Sequence, residues 1–197
     1  MHLTSSPLDW YVARASGVAA FVLLTVGVLL GVLMAEGRPR RAWPKFALED
    51  VHRYIGLLTG SFVGLHVVTI AIDSFTPFSL TQLVVPFASG YRTFWTALGI
   101  VAAELLVALA LTNRYRKRLS YRFWRRAHYA NFAVWGAATL HGLGSGTDRH
   151  TAWLLTLELV ATAAVVGATL WRINRGTPRS RAASAPARPV QRRRSAA

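Results

Sequence analysis

The chain has 197 residues, 53% of them hydrophobic and only 16% charged, with a net charge of +15. That is too apolar for an ordinary soluble domain and points to a membrane. There is no cysteine, which excludes disulfides, thiolate metal sites, iron–sulfur clusters and thioether-linked haem.

A spanning helix needs about 20 mostly apolar residues. Five windows meet that requirement. The first, Ala15–Ala35, carries no charge and is long enough to read as an uncleaved anchor. The second, Tyr54–Ile72, is interrupted only by His66. Ser74–Tyr91 is also uncharged, but it contains Pro77 and Pro86 and is expected to form a short interfacial or re-entrant helix instead of a span. The third window, Thr93–Thr112, holds only Glu104. The fourth, Ala127–Gly144, holds His128 and His141, and the fifth, Thr151–Trp171, holds Glu158.

The positive charges are clustered. "GRPRRAWPK" (37–45) and "NRYRKRLSYRFWRR" (113–126) join windows one to two and three to four, and the segment from Arg172 onward holds eight arginines and no acid. The positive-inside rule then places the N-terminus outside and the C-terminus inside, with five spans. Residues 1–171 are expected to form the membrane domain. Residues 172–197 read as a disordered basic cytoplasmic tail lying on anionic lipid. Nucleic acid is not an expected partner, because no aromatic residue interleaves the arginines.

Two apolar segments each carry a pair of histidines. His52 and His66 are fourteen residues apart, and His128 and His141 are thirteen apart. With five spans, the second and fourth helices run parallel. His52 then faces His128 near the inner side, and His66 faces His141 nearer the outer side. At about 1.5 Å per residue the two levels lie roughly 20 Å apart. Two such pairs are what two six-coordinate haems need, one imidazole on each face of the iron. The fourteen-residue spacing keeps both histidines on nearly one face. The thirteen-residue spacing leaves a mismatch of roughly 140° on an ideal helix, which a tightened turn or a helix ending at His141 would absorb. The alternative is four ordinary buried histidines bonded to their neighbours, but ionisable residues within a membrane are rare and usually functional.

Gly56, Gly60 and Gly64 form a small-residue ladder, which suits either helix packing or room for a flat macrocycle. Arg14, Arg53 and Arg126 are candidate partners for anionic haem propionates, with Arg92, Arg125 and Arg149 also within range. The inner arginines have a second explanation in the positive-inside rule. Glu104 and Glu158 are intramembrane carboxyls that face the bundle or lie on a proton path.

The strings "ARASGVAAFVLL", "VHRYIGLLTGSFVGLH", "PFSLTQLVVPFASGYR", "LGIVAAELLVALALT" and "YRFWRRAHYANFAVWGAATLHGLGSGTD" resemble the ferric reductase-like transmembrane family. That family includes the haem-binding membrane subunit of the bacterial periplasmic methionine sulfoxide reductase system and the membrane part of NADPH oxidases. The resemblance implies an all-α membrane bundle holding two b haems on His52, His66, His128 and His141. It implies electrons passing from the cytoplasmic side to an acceptor on the outer side, and a multi-pass protein of the cell membrane, such as a bacterial inner membrane. Larger members continue into a soluble domain that binds FAD and NAD(P)H. No G-x-G-x-x-G follows Trp171 here, so a separate cytoplasmic-side donor is expected, a flavoprotein or a quinol. Two readings from other classes are a transporter or proton-relay subunit using the histidines and Glu104/Glu158, and a non-redox membrane anchor for a soluble enzyme.

Overall fold

The computed structural model describes residues 7–35, 44–73, 77–146, 148 and 150–175. Among these, seven α-helices form and no strand does. They are α1 (Pro7–Met34), α2 (Lys45–Ile72), α3 (Leu80–Val84), α4 (Thr93–Arg114), α5 (Tyr121–His128), α6 (Asn131–Ser145) and α7 (Ala152–Arg175). The joining segment over residues 36–43, Arg149 and the tail from residue 176 lie outside the described residues. The last helix runs through Arg172 to Arg175, a few residues beyond the end expected for the membrane domain.

Helices α1, α2, α4 and α7 are long and apolar enough to cross a membrane, and the chain is a multi-pass membrane protein. Its large apolar side chains point outward along the spans. Leu57 on α2, Val107 on α4 and Leu159 on α7 are all exposed, as lipid-facing residues are in a bundle whose backbone is satisfied within its own helices. Hydroxyls buried among the helices bond back to their own turn. Thr25 donates to the Phe21 carbonyl, Thr59 to Ile55 and Thr69 to Leu65, so these three hydroxyls are satisfied without water.

The segment with Pro77 and Pro86 forms the five-residue helix α3, not a span. Ser79 accepts from the Gln82 backbone N–H while the Ser79 N–H donates to the Gln82 side chain, a reciprocal cap at its start.

The fourth window departs from a single helix. It breaks between α5 and α6 at Tyr129 and Ala130. Here Tyr129 N–H bonds the Arg126 carbonyl, Ala130 the Ala127 carbonyl and Phe132 the Tyr129 carbonyl. Each is a three-residue step, and such steps advance about 120° per residue in place of about 100°. The extra rotation turns His128 and His141 toward a common side. The tightening expected at His141 is instead placed just after His128, and α6 continues four residues past His141. Alone, α6 has 15 residues, roughly 22 Å of helix, so it is shorter than the four long spans.

Helix α1 packs along α2, and α4 packs along α6. The core lies between these pairs and α7, around Phe21, Leu24, Val28, Ala102, Val134, Trp135, Ala161 and Val165. Within it the Trp135 indole N–H donates to Thr25 Oγ1 at 3.0 Å, tying α6 to α1.

Candidate functional site

The four histidines meet in two pairs, in the expected register. His52 on α2 and His128 at the end of α5 have ring centres 6.1 Å apart. His66 on α2 and His141 on α6 have ring centres 6.3 Å apart. Helix α2 therefore runs parallel to the α5–α6 segment. A metal held between two imidazole nitrogens at about 2 Å each puts the ring centres roughly 6 Å apart. Both gaps match that span. Among the described residues no cluster of three or more His, Asp or Glu forms. Each pair thus offers two imidazoles.

The outer pair is oriented by backbone. His66 Nδ1 lies 2.7 Å from the Ala13 carbonyl of α1, and His141 Nδ1 lies 2.9 Å from the Trp95 carbonyl of α4. A carbonyl only accepts, so each Nδ1 carries the proton and each Nε2 keeps a free lone pair. Two glycines let the rings approach. A Cβ added at Gly17 would lie 3.0 Å from His66 Nδ1, and one at Gly99 would lie 2.5 Å from His141 Nδ1. Sequence reasoning missed Gly17, Gly99 and both carbonyls.

The inner pair is held differently. His128 stacks on Trp124, with ring centres 5.3 Å apart and planes 24° apart. Its carbonyl accepts from the Asn131 side-chain amide at 2.8 Å, which fixes the turn between α5 and α6. His52 lies against α1, where a Cβ at Gly31 would be 3.7 Å from its Cε1. Its ring is turned toward the Gly27 backbone of α1.

Among the described residues, a Cβ at Gly56, Gly60 or Gly64 would touch nothing within 4 Å, so packing among the described helices does not account for the ladder. Gly56, one turn beyond His52, borders open space beside the inner pair.

The candidate arginines are spread more widely. Arg14 forms an ion pair with Asp148 and lies over the Trp10 ring at 4.2 Å. The anionic partner that its depth demands is thus a loop carboxylate between α6 and α7. Arg92 adopts a left-handed backbone, φ 41°, at the start of α4. Its guanidinium donates to the Gly144 and Gly146 carbonyls at 2.8 and 3.1 Å, closing the C-terminus of α6 four residues beyond His141. Arg53 and Arg126 are exposed beside the inner pair, Arg53 with only a loose 3.9 Å contact to Asp50. Of the two intramembrane carboxyls, Glu104 is exposed on α4 and Glu158 is buried, 4% exposed.

Residues 16–139, well over half the chain, match the family described as ferric reductase like transmembrane component. The chain belongs to this family. Its members' name marks them as membrane electron-transfer components, and the matched region includes most of α1, all of α2 and α4, and three of the four paired histidines. His141 lies two residues past the end of the match, and it enters the site by geometry alone. No curated protein and no solved structure is similar enough to match.

Proposed function

We propose that the chain is a membrane b-type cytochrome that carries electrons from a cytoplasmic-side donor to an acceptor on the outer side. His52 and His128 would hold one haem and His66 and His141 a second. The observation that carries this reading is the pair of imidazole gaps, 6.1 and 6.3 Å between ring centres, on one pair of parallel segments. Haem supplies the one-electron chemistry when bound.

The chain's own residues do the rest. The Ala13 and Trp95 carbonyls hold the outer rings in the ligating tautomer. Trp124 and Asn131 set the angle of His128. The apolar core around Phe21, Val134 and Trp135 keeps water from the space between the two levels. Arg53 and Arg126 are free to meet propionates at the inner level. Arg14 already has Asp148 and would serve propionates only by sharing it.

Five spans with the N-terminus outside and the C-terminus inside remain the topology favoured by the basic segments 37–45, 113–126 and 172–197. The donor is a flavoprotein or a quinol, the acceptor an outer-side protein or small molecule, and the membrane a bacterial inner membrane. The test is transfer across a sealed vesicle. Purified chain in liposomes loaded with ferricyanide should reduce it when dithionite is added outside, and His66→Ala should stop this. A colourless preparation that passes protons or solutes instead would make the chain a transporter subunit.

A further inference from the structure

Among the described residues, two that are not glycine adopt a left-handed backbone, Phe87 at φ 67° and Arg92 at φ 41°. Glycine and asparagine enter that region at least cost, and an arginine gains nothing from it. Arg92 is also the N-cap of α4, yet its side chain makes no capping bond. A strained residue persists only where its surroundings over-determine it. Here they do. Ser89, 3% exposed, accepts from the Tyr91 N–H at 3.1 Å. The Tyr91 carbonyl accepts from the Thr96 hydroxyl at 2.7 Å.

The held backbone decides where the side chain goes. One guanidinium nitrogen, Nη1, donates to the Gly144 and Gly146 carbonyls at 2.8 and 3.1 Å. Carbonyls at a helix end have no partner within the helix, so a cation there both satisfies and fixes the end. One turn along α4, the Trp95 ring takes the space that a Cβ on Gly144 would fill. The Trp95 carbonyl accepts from His141 Nδ1, and Ser145 Oγ lies 3.2 Å from the same nitrogen. The first turns of α4 and the last turn of α6 thus set the His141 ring together, and Arg92 joins the two. His66, across the gap, is set by the Ala13 carbonyl of α1 instead.

We propose that Arg92 is a positioning residue for His141. Its hold on the end of α6 fixes the rotation of that helix's last turn and keeps the imidazole on the Trp95 carbonyl. The guanidinium is thereby committed to backbone and not to a haem carboxylate. One of the two readouts below rests on the haem reading proposed above; the other needs no haem.

The experiment uses the full chain in nanodiscs, isotopically labelled in its histidine nitrogens, as wild type, Arg92→Gly and Arg92→Asn. Both substitutions suit a left-handed backbone, and both side chains are too short to replace the guanidinium. Ring resonances are assigned with His66→Ala and His141→Ala and read after dithionite reduction, where low-spin ferrous iron is diamagnetic. Loss of the charge-assisted bonds should raise the population of His141 that has left the Trp95 carbonyl about tenfold. Its Nδ1–H resonance should therefore move in both variants while that of His66 stays. In the oxidised protein, the electron paramagnetic resonance of the haem that His141→Ala removes should shift, and that of the other should not. An unmoved His141 resonance, or equal changes at His52 and His66, would overturn the proposal. So would a shifted haem potential with the His141 resonance in place, the mark of an arginine paired with a propionate. Wild-type protein without haem refutes the electron-transfer reading alone, since the nitrogen resonances still test the hold on His141.

Discussion

His66→Ala is expected to remove one haem, and His141→Ala the same one. Their rings face each other 6.3 Å apart, each backed by a backbone carbonyl. Losing either histidine would leave the proposed site with a single imidazole, so the double variant should lose little more than either single one. That is the strong non-additivity expected of residues acting as a unit. His52→Ala and His128→Ala should remove the other haem in the same way, because their rings are 6.1 Å apart. The readout is haem absorbance per chain, with the spectrum of the surviving haem identifying which is lost. If His66→Ala instead matched His128→Ala, α2 and the α5–α6 segment could not be paired as described.

The second large effect comes from a residue that is not a ligand. Gly99→Val should cost the outer haem while sparing the inner one. A Cβ at Gly99 already falls 2.5 Å from His141 Nδ1 and 2.6 Å from Cε1, and valine adds two methyls. Overpacking of this kind costs about 1–3 kcal/mol, and here the imidazole must swing off the Trp95 carbonyl to relieve it. Gly167→Ala on α7 is the matching control, since a Cβ there meets nothing within 4 Å among the described residues. Haem absorbance and thermal unfolding of the two variants, measured together, separate ligand displacement from general loss of packing. Full haem retention in Gly99→Val would mean that His141 is not held as described.

Much of this site was legible in the sequence, because histidines in apolar windows are few and their spacing fixes depth and face. The pairing of His52 with His128 and of His66 with His141 followed from that spacing and from one intervening span. The thirteen-residue interval signalled that a turn must tighten. It could not say where, because three-residue hydrogen bonds at Tyr129 and Ala130 depend on how α5 and α6 pack. The Ala13 and Trp95 carbonyls left no signal at all, since every residue has a carbonyl. Gly17 and Gly99 looked like any small residues on apolar helices. Arg14 was legible as needing an anion, but Asp148 sits in a loop far along the chain and no local pattern joins them.

Glu104 and Glu158 show a further limit. Both stand in apolar windows, yet one is exposed and the other buried. A helix apolar all round has no strong polar face to announce its orientation, so which carboxyl turned inward was not written in the windows around them.

Two haem sites, one in each histidine gap, fix a stoichiometry. The most direct measurement is the haem-to-chain ratio of the purified wild-type protein, taken by pyridine haemochrome after acid-acetone extraction and set against protein from amino-acid analysis. The four histidines in two matched gaps predict two extractable haems per chain. A ratio of one would leave one histidine pair without its role, and a colourless chain that takes up no added haem would contradict the account.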